Sequence, residues 1–224
     1  MSRPQAVTLD AMGTLVSIAP PAPRLQQSLA RRLGRDVDLA RCESAMRAEM
    51  RHYRAHCTSA RDASSLAALR LECASLLADA LAIDVSGADV LPSLTDAISF
   101  LAYDDARPAL DRLVAAGVRL AVVANWDVSL PDVLARLGLA QPFEVIVTAA
   151  AIGAAKPDPR PFQAALERLG SDAARTVHVG DDPVTDIAGA RAAGLSAVLL
   201  DRSGRAPGSI ASLAELDARL ELAA

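Results

Sequence analysis

Four short segments place chemically able side chains directly after apolar runs. They are Val7-Thr8-Leu9-Asp10 leading into Ala11-Met12-Gly13-Thr14; Leu120 to Ala124 leading into Asn125-Trp126-Asp127; Lys156-Pro157-Asp158-Pro159; and Val177-His178-Val179-Gly180 leading into Asp181-Asp182-Pro183-Val184-Thr185-Asp186. A carboxylate that ends a strand before a glycine turn can serve as a covalent nucleophile, with backbone N–H groups of the turn at hand. Alone, such an aspartate is more often a turn or helix-cap residue. The other segments change that reading. Asp181, Asp182 and Asp186 put three carboxylates within six residues, and these repel one another unless a cation or lysine sits among them. Magnesium suits such a set, because it takes oxygen ligands and commonly uses one or two carboxylates plus substrate phosphate. Asp182 or Asp186 can instead cap the helix that follows. Lys156 lies in a loop stiffened by Pro157 and Pro159, which holds its ammonium near one place. A carboxylate, a lysine and an acidic cluster in one pocket suggest attack on an anionic substrate.

For these segments to meet, the apolar runs must be parallel strands of one sheet, whose carboxyl ends border the ligand crevice. The sequence predicts strands at Ala6 to Asp10, Val118 to Ala124, Glu144 to Thr148, Thr176 to Val179 and Ala197 to Leu200. From about Arg107 these alternate with helices over Leu130 to Leu137, Arg160 to Leu169 and Asp186 to Ala193, closed by Gly138, Gly170 and Gly194, which is the pattern of a parallel α/β sheet. About eighty residues separate the first strand from this alternation, with helical character over Arg24 to Leu33, Leu39 to His56, Ala63 to Ile83 and Ser93 to Leu101. Leu66, Leu69, Cys73, Leu76 and Ala80 recur at spacings of three and four, which makes one apolar helical stripe. The expected organisation is a core of residues 1–16 and 102–224 with an inserted helical cap of residues 17–101. A cap inserted there would overhang the crevice and exclude water when closed.

With 224 residues, 52% of them hydrophobic and 22% charged, the chain can bury a substantial core. Its 23 basic and 27 acidic residues give a formal charge of -4 without long runs of one sign, so nucleic acid and acidic membrane surfaces are poor partners and a small molecule is a better one. Residues Met1 to Ala6 carry no signal pattern, and no apolar run reaches the roughly 18 residues of a membrane span; a cytoplasmic monomer or homodimer is expected. Cys42, Cys57 and Cys73 lack paired metal spacing and read as buried thiols. His52 and His56 share a helix face as a candidate metal pair without an obvious third ligand. His178 is expected to be packed rather than catalytic. Arg47, Arg51, Tyr53 and Arg54 either face an anionic substrate or form a solvated helix face.

Asp10-Ala11-Met12-Gly13-Thr14-Leu15, Ala124-Asn125, Lys156-Pro157-Asp158-Pro159 and Gly180-Asp181 through Asp186 resemble, in order, the four motifs of the haloacid dehalogenase-like hydrolase superfamily. Its members look like Asp-x-Asp-Gly-Thr-Leu, Ser or Thr with Asn, Lys-Pro-Asp-Pro and Gly-Asp-x-x-x-x-Asp. The resemblance implies an α/β fold, a Rossmann-like parallel sheet core with an inserted C1-type helical cap. It implies Asp10 as nucleophile, with Lys156 neutralising it and the transferring group. It also implies Mg2+ on Asp10, the backbone carbonyl of Met12 and Asp181, supported by Asp186 or Asp182. Gly13, Thr14, Asn125 and Trp126 are the expected substrate- or phosphate-binding positions; Trp126 can equally pack as ordinary apolar area.

Two positions depart from the pattern. Met12 replaces the carboxylate that would protonate a leaving alcohol and then activate water, a loss typically costing on the order of 10²–10⁴ in rate. Ala124 lacks the hydroxyl that Ser or Thr would offer a phosphoryl oxygen. The resemblance therefore supports three readings. The first is a Mg2+-dependent phosphatase acting on a small phosphorylated metabolite through an aspartyl-phosphate. The second is a 2-haloacid dehalogenase, whose relatives look like Asp-Ala-Tyr-Gly-Thr-Leu at the first motif and Ser-Ser-Asn at the second. The third is a disabled relative that binds a phosphorylated ligand or a protein.

Overall fold

Asp10 follows a strand with no exposed residue: β1 (Ala6–Leu9) is buried along its whole length, as expected for the centre of a parallel sheet covered on both faces. The computed structural model describes residues 4–222. After β1 come β2 (Val16–Ile18) and the helices α1 (Pro21–Leu33), α2 (Leu39–His56), α3 (Ala63–Leu81) and α4 (Gly87–Ala97), then β3 (Phe100–Ala102). The alternating part follows with α5 (Ala106–Ala115), β4 (Arg119–Ala124), α6 (Leu130–Arg136), β5 (Val145–Thr148), α7 (Ala149–Ile152) and α8 (Arg160–Leu169). It continues with β6 (Thr176–Gly180), a π-helical segment Pro183–Ala188, α9 (Gly189–Ala192) and β7 (Ser196–Leu199).

Five strands form one sheet in the order β5-β4-β1-β6-β7, and each neighbouring pair within it is parallel. Leu9 lies level with Val122 of β4 and with Val179 of β6. That register brings the residues after β1, β4 and β6 to the carboxyl end of the sheet, beside the point where strand order switches from β1–β4–β5 to β6–β7, the place at which open α/β sheets bind ligands. Phe162 and Leu169 of α8 and Ala190 of α9 pack with Val123 and Val147 to cover the sheet. The fold is an α/β, Rossmann-like parallel sheet flanked by helices.

The chain divides into two compact units, Met1–Ser17 with Ala102–Ala224, and Ile18–Leu101. Within the helical unit, α3 starts at a reciprocal cap between Asp62 and Ser65, and α4 at one between Ser86 and Asp89. The helix expected over Ser93 to Leu101 is corrected: α4 begins at Gly87, contains Pro92 and ends at Ala97. The Ser86 cap together with burial of Val90, Leu94 and Ala97 offsets the cost of an interior proline. Phe100–Ala102 is β3, paired with β2 in a separate two-stranded sheet. The helix expected over Asp186 to Ala193 is also corrected. Asp182 Oδ1 accepts from Val184 N at 2.8 Å and Thr185 N at 2.7 Å, starting the helical segment early, and Ile187 N reaches back five residues to Asp182 O at 3.2 Å.

All three cysteines are buried thiols. The His52 and His56 rings stack at 4.2 Å but belong to no three-ligand cluster among the described residues. No helix among the described residues is long and apolar enough to cross a membrane.

Candidate active site

Lys156 is the centre of the constellation. Its Nζ donates to Asp10 Oδ1 at 2.6 Å, to Asp186 Oδ1 at 2.6 Å and to Val123 O at 2.7 Å, so all three ammonium protons are spent. The side chain is 1% exposed. Its backbone is held by Asn125, whose Oδ1 accepts from Lys156 N at 2.7 Å and whose Nδ2 donates to Lys156 O at 2.9 Å. Asn125, expected on phosphate, thus has both ends of its carboxamide on the main chain of Lys156, and its evident work is to place that residue.

Asp10 N donates to Val179 O at 2.9 Å, which ties the first residue after β1 to β6. Asp10, Asp181 and Asp186 each offer a carboxylate oxygen, and these oxygens lie within 4.8 Å of one another. Asp182 is outside this group, its Oδ1 being committed to the helix start. Gly13 makes the approach possible. It has φ +83°, and a Cβ there would fall 2.2 Å from Asp181 Oδ2, so both conformation and space demand glycine. Gly180 is likewise excluded from carrying a side chain, because a Cβ would lie 2.3 Å from Asp186 Cγ.

Burial pushes the Asp10 carboxyl up to about 7; Lys156 opposes this, and Asp186 and Asp181 add to it. Burial and the charge of Asp186 raise Asp181 to about 6. Burial also works against the Asp186 anion, yet hydrogen bonding from His178 and the charge of Lys156 hold its carboxyl below the ordinary range. Burial disfavours the Lys156 ammonium, but Asp10 and Asp186 outweigh it and raise its pKa. Three carboxylates thus compete for one lysine, which is the electrostatic signature of a cation site.

The other expected contacts divide. Trp126 is buried, with its N–H on Ala124 O at 2.9 Å. Asp127 Oδ1 accepts from Ser129 N at 2.7 Å. Thr14 is fully buried with its hydroxyl unpartnered, which separates it from a role as a solvent-facing anion ligand. Met12 is half-buried and bridges in backbone register to Val16. Sequence reasoning missed Arg202. Its Nε donates to Gly13 O at 3.1 Å and its Nη2 to Thr14 O at 2.7 Å, while Asp105 takes Nη1 and Nη2 at 3.1 and 3.0 Å. The guanidinium lies 3.5 Å over the Tyr103 ring. No local pattern marks Arg202, whose partners lie about 100 and 190 positions away.

The family profile for haloacid dehalogenase-like hydrolase matches residues 4–194. Haloacid dehalogenase-like hydrolase domain-containing protein 3 of Mus musculus is 43% identical over 84 residues, 38% of this chain and 34% of that protein. The chain therefore spans about a third of that relative's length. Phosphoglycolate phosphatase of Rhodospirillum rubrum is 32% identical over 208 residues, 88% of this chain and 79% of that one. Among solved structures, a 2-haloacid dehalogenase from Pseudomonas syringae pv. Tomato superposes with a TM-score of 0.66 at 27% identity, covering 99% of each chain. With its motifs gathered at one sheet edge and the profile spanning nearly its whole length, the chain belongs to the haloacid dehalogenase-like hydrolases.

Proposed function

We propose that the protein is a Mg2+-dependent phosphatase of small phosphorylated molecules, working through an aspartyl-phosphate, an acyl phosphate formed on Asp10. The observation that carries this reading is the cluster of Asp10, Asp181 and Asp186 around a single buried ammonium. Three carboxylates and one lysine leave a formal charge of -2, which repels a phosphate unless a further cation is present. The donors are all carboxylate oxygens and suit a hard divalent ion. Asp10, Asp181 and the main-chain carbonyl of Met12 would hold Mg2+, with Asp186 supporting. The ion would supply positive charge for the phosphoryl oxygens.

The chain's own groups account for the rest. The Asp10 carboxylate attacks phosphorus, the bond from phosphorus to the leaving oxygen breaks, and that oxygen keeps the electron pair. Lys156, with every proton fixed, holds positive charge beside the nucleophile throughout. Met12 offers no proton, so the leaving oxygen is protonated by solvent and acidic leaving groups are favoured. Water then attacks phosphorus, phosphate departs and Asp10 is regenerated. The Rhodospirillum rubrum relative, named for phosphoglycolate, supports a small phosphorylated substrate. Choice among such substrates is assigned to the helical segment, residues 17–101, acting as a cap.

Met12 also favours a second reading, displacement of halide at carbon, which needs no proton on the leaving group. Hydrolysis of p-nitrophenyl phosphate with and without Mg2+, beside Asp10→Asn, separates the two. Mg2+-dependent release lost in the variant is the expected result. Chloride release from 2-chloropropionate without phosphatase activity would replace the first reading with the second.

A further inference from the structure

His178 is a fully buried polar side chain that the chemistry above does not use. It sits on β6 directly across from Thr8 of β1 in the parallel register. Thr8 Oγ1 and His178 Nδ1 are 2.8 Å apart, and His178 Nε2 is 3.3 Å from Asp186 Oδ1. The same Asp186 oxygen receives Lys156 Nζ at 2.6 Å, and the other Asp186 oxygen receives Asp182 N at 3.0 Å. Phe162 closes one side of the imidazole, edge-on at 5.0 Å.

These contacts admit one proton arrangement. A buried imidazole near the Lys156 ammonium stays neutral, and a neutral imidazole carries one N–H. An ionised Asp186 can only accept, so Nε2 bears the proton and Nδ1 accepts from the Thr8 hydroxyl. With the opposite tautomer, Nε2 and the Asp186 carboxylate would face each other as two acceptors in a site without water to separate them, a costly arrangement for buried polar groups.

We infer that Thr8 and His178 are a pair of positioning residues: the Thr8 hydroxyl holds the imidazole at Nδ1, and the imidazole, its Nε2–H turned to Asp186, fixes that carboxylate, which in turn holds Lys156 in line with Asp10. Neither side chain touches substrate. The arrangement follows the general logic of an outer partner that orients a functional group, where removal typically costs about 10- to 100-fold in activity. The functional part of the inference rests on the phosphatase reading; the tautomer does not.

The test combines 15N-resolved imidazole NMR of wild type and Thr8→Val with kcat and KM for p-nitrophenyl phosphate in Thr8→Val, His178→Gln and His178→Leu. Wild type is expected to show the Nε2–H tautomer alone at neutral pH, and Thr8→Val the same tautomer with its Nδ1 resonance displaced by loss of the hydrogen bond there. His178→Leu should lose about 10- to 100-fold in kcat with little change in KM, while His178→Gln, which keeps a donor for Asp186, recovers most of it. An Nδ1–H tautomer in wild type overturns the inference. So does an undisplaced Nδ1 resonance in Thr8→Val, or an undiminished kcat in a folded His178→Leu. Thr8→Val is close to isosteric and keeps the test decisive if the leucine variant does not fold. Should wild type show no phosphatase activity at all, the phosphatase reading fails, and the tautomer alone decides: Nε2–H supports the pair and Nδ1–H removes it.

Discussion

Met12 occupies the place where a proton donor would serve an alkoxide leaving group, and its thioether cannot exchange a proton. Met12→Asp should therefore raise the rate on alkyl phosphates by about 10²–10⁴, and by much less on p-nitrophenyl phosphate, whose leaving group needs no proton. Rates across a series of leaving-group acidities check this; a uniform gain would mean that the aspartate acts otherwise. Lys156 is a different kind of residue, because it neutralises two buried carboxylates at once. Lys156→Met should cost about 3–5 kcal/mol in urea unfolding without added metal, the usual penalty for stranding a buried partner. An unchanged unfolding midpoint would count against an ionised Asp10 and Asp186 in the resting protein. At this scale the sequence was readable where chemistry follows an apolar run, as at Asp10, Lys156 and Asp181. It was not readable for Asn125 and Arg202. Both bonds of Asn125 and two of those of Arg202 go to main-chain groups of Lys156, Gly13 and Thr14, and a backbone partner leaves no residue type to recognise.

Elements with strong periodicity were legible, and those set by a single cap were not. α2 runs over Leu39–His56 and α8 over Arg160–Leu169, as their patterns predict. α4 depends on the cap at Ser86, which is visible only once the backbone is folded, and the π-helical turn on Asp182, which the sequence offered as a cap only as an alternative to Asp186. The short β2 and β3 pair carries too few residues to show alternation. The pairing of α2 with α3 carries its own pH dependence. Glu49 of α2 is buried, and burial raises its pKa above the ordinary 4.5, against a smaller opposing hydrogen bond from Cys73 of α3. The folded chain then binds this proton more tightly than the unfolded chain. Stability from this group is complete below about 4.5 and is lost as pH rises through the elevated folded value. Glu49→Gln should make the protein more stable than wild type at pH 7, with the difference shrinking as pH falls toward 4.5. Denaturant titrations at several pH values measure it, and a difference that grows on acidification would reverse the sign argued here.

Across the whole molecule, the order β5-β4-β1-β6-β7 turns four scattered motifs into one site. β1, in the middle, delivers Asp10; β4, on one side, delivers Asn125; and β6, on the other, delivers Asp181 and, one turn later, Asp186. The sequence implied this because three of the four motifs end an apolar strand, and parallel strands present their carboxyl ends on one edge, while Lys156 reaches the site from the loop after α7. What it left open was which acidic residues converge, a matter of side-chain direction: Asp186 turns to Lys156, and Asp182 turns to the helix start. On the proposed mechanism Asp10 becomes covalently phosphorylated during turnover. Acid quenching of the Mg2+-loaded enzyme on p-nitrophenyl phosphate, followed by borohydride reduction and peptide mass spectrometry, tests it directly. Conversion of Asp10 to homoserine, dependent on both substrate and Mg2+, is the predicted result; sustained turnover with Asp10 recovered unmodified, or with the label on another residue, would contradict it.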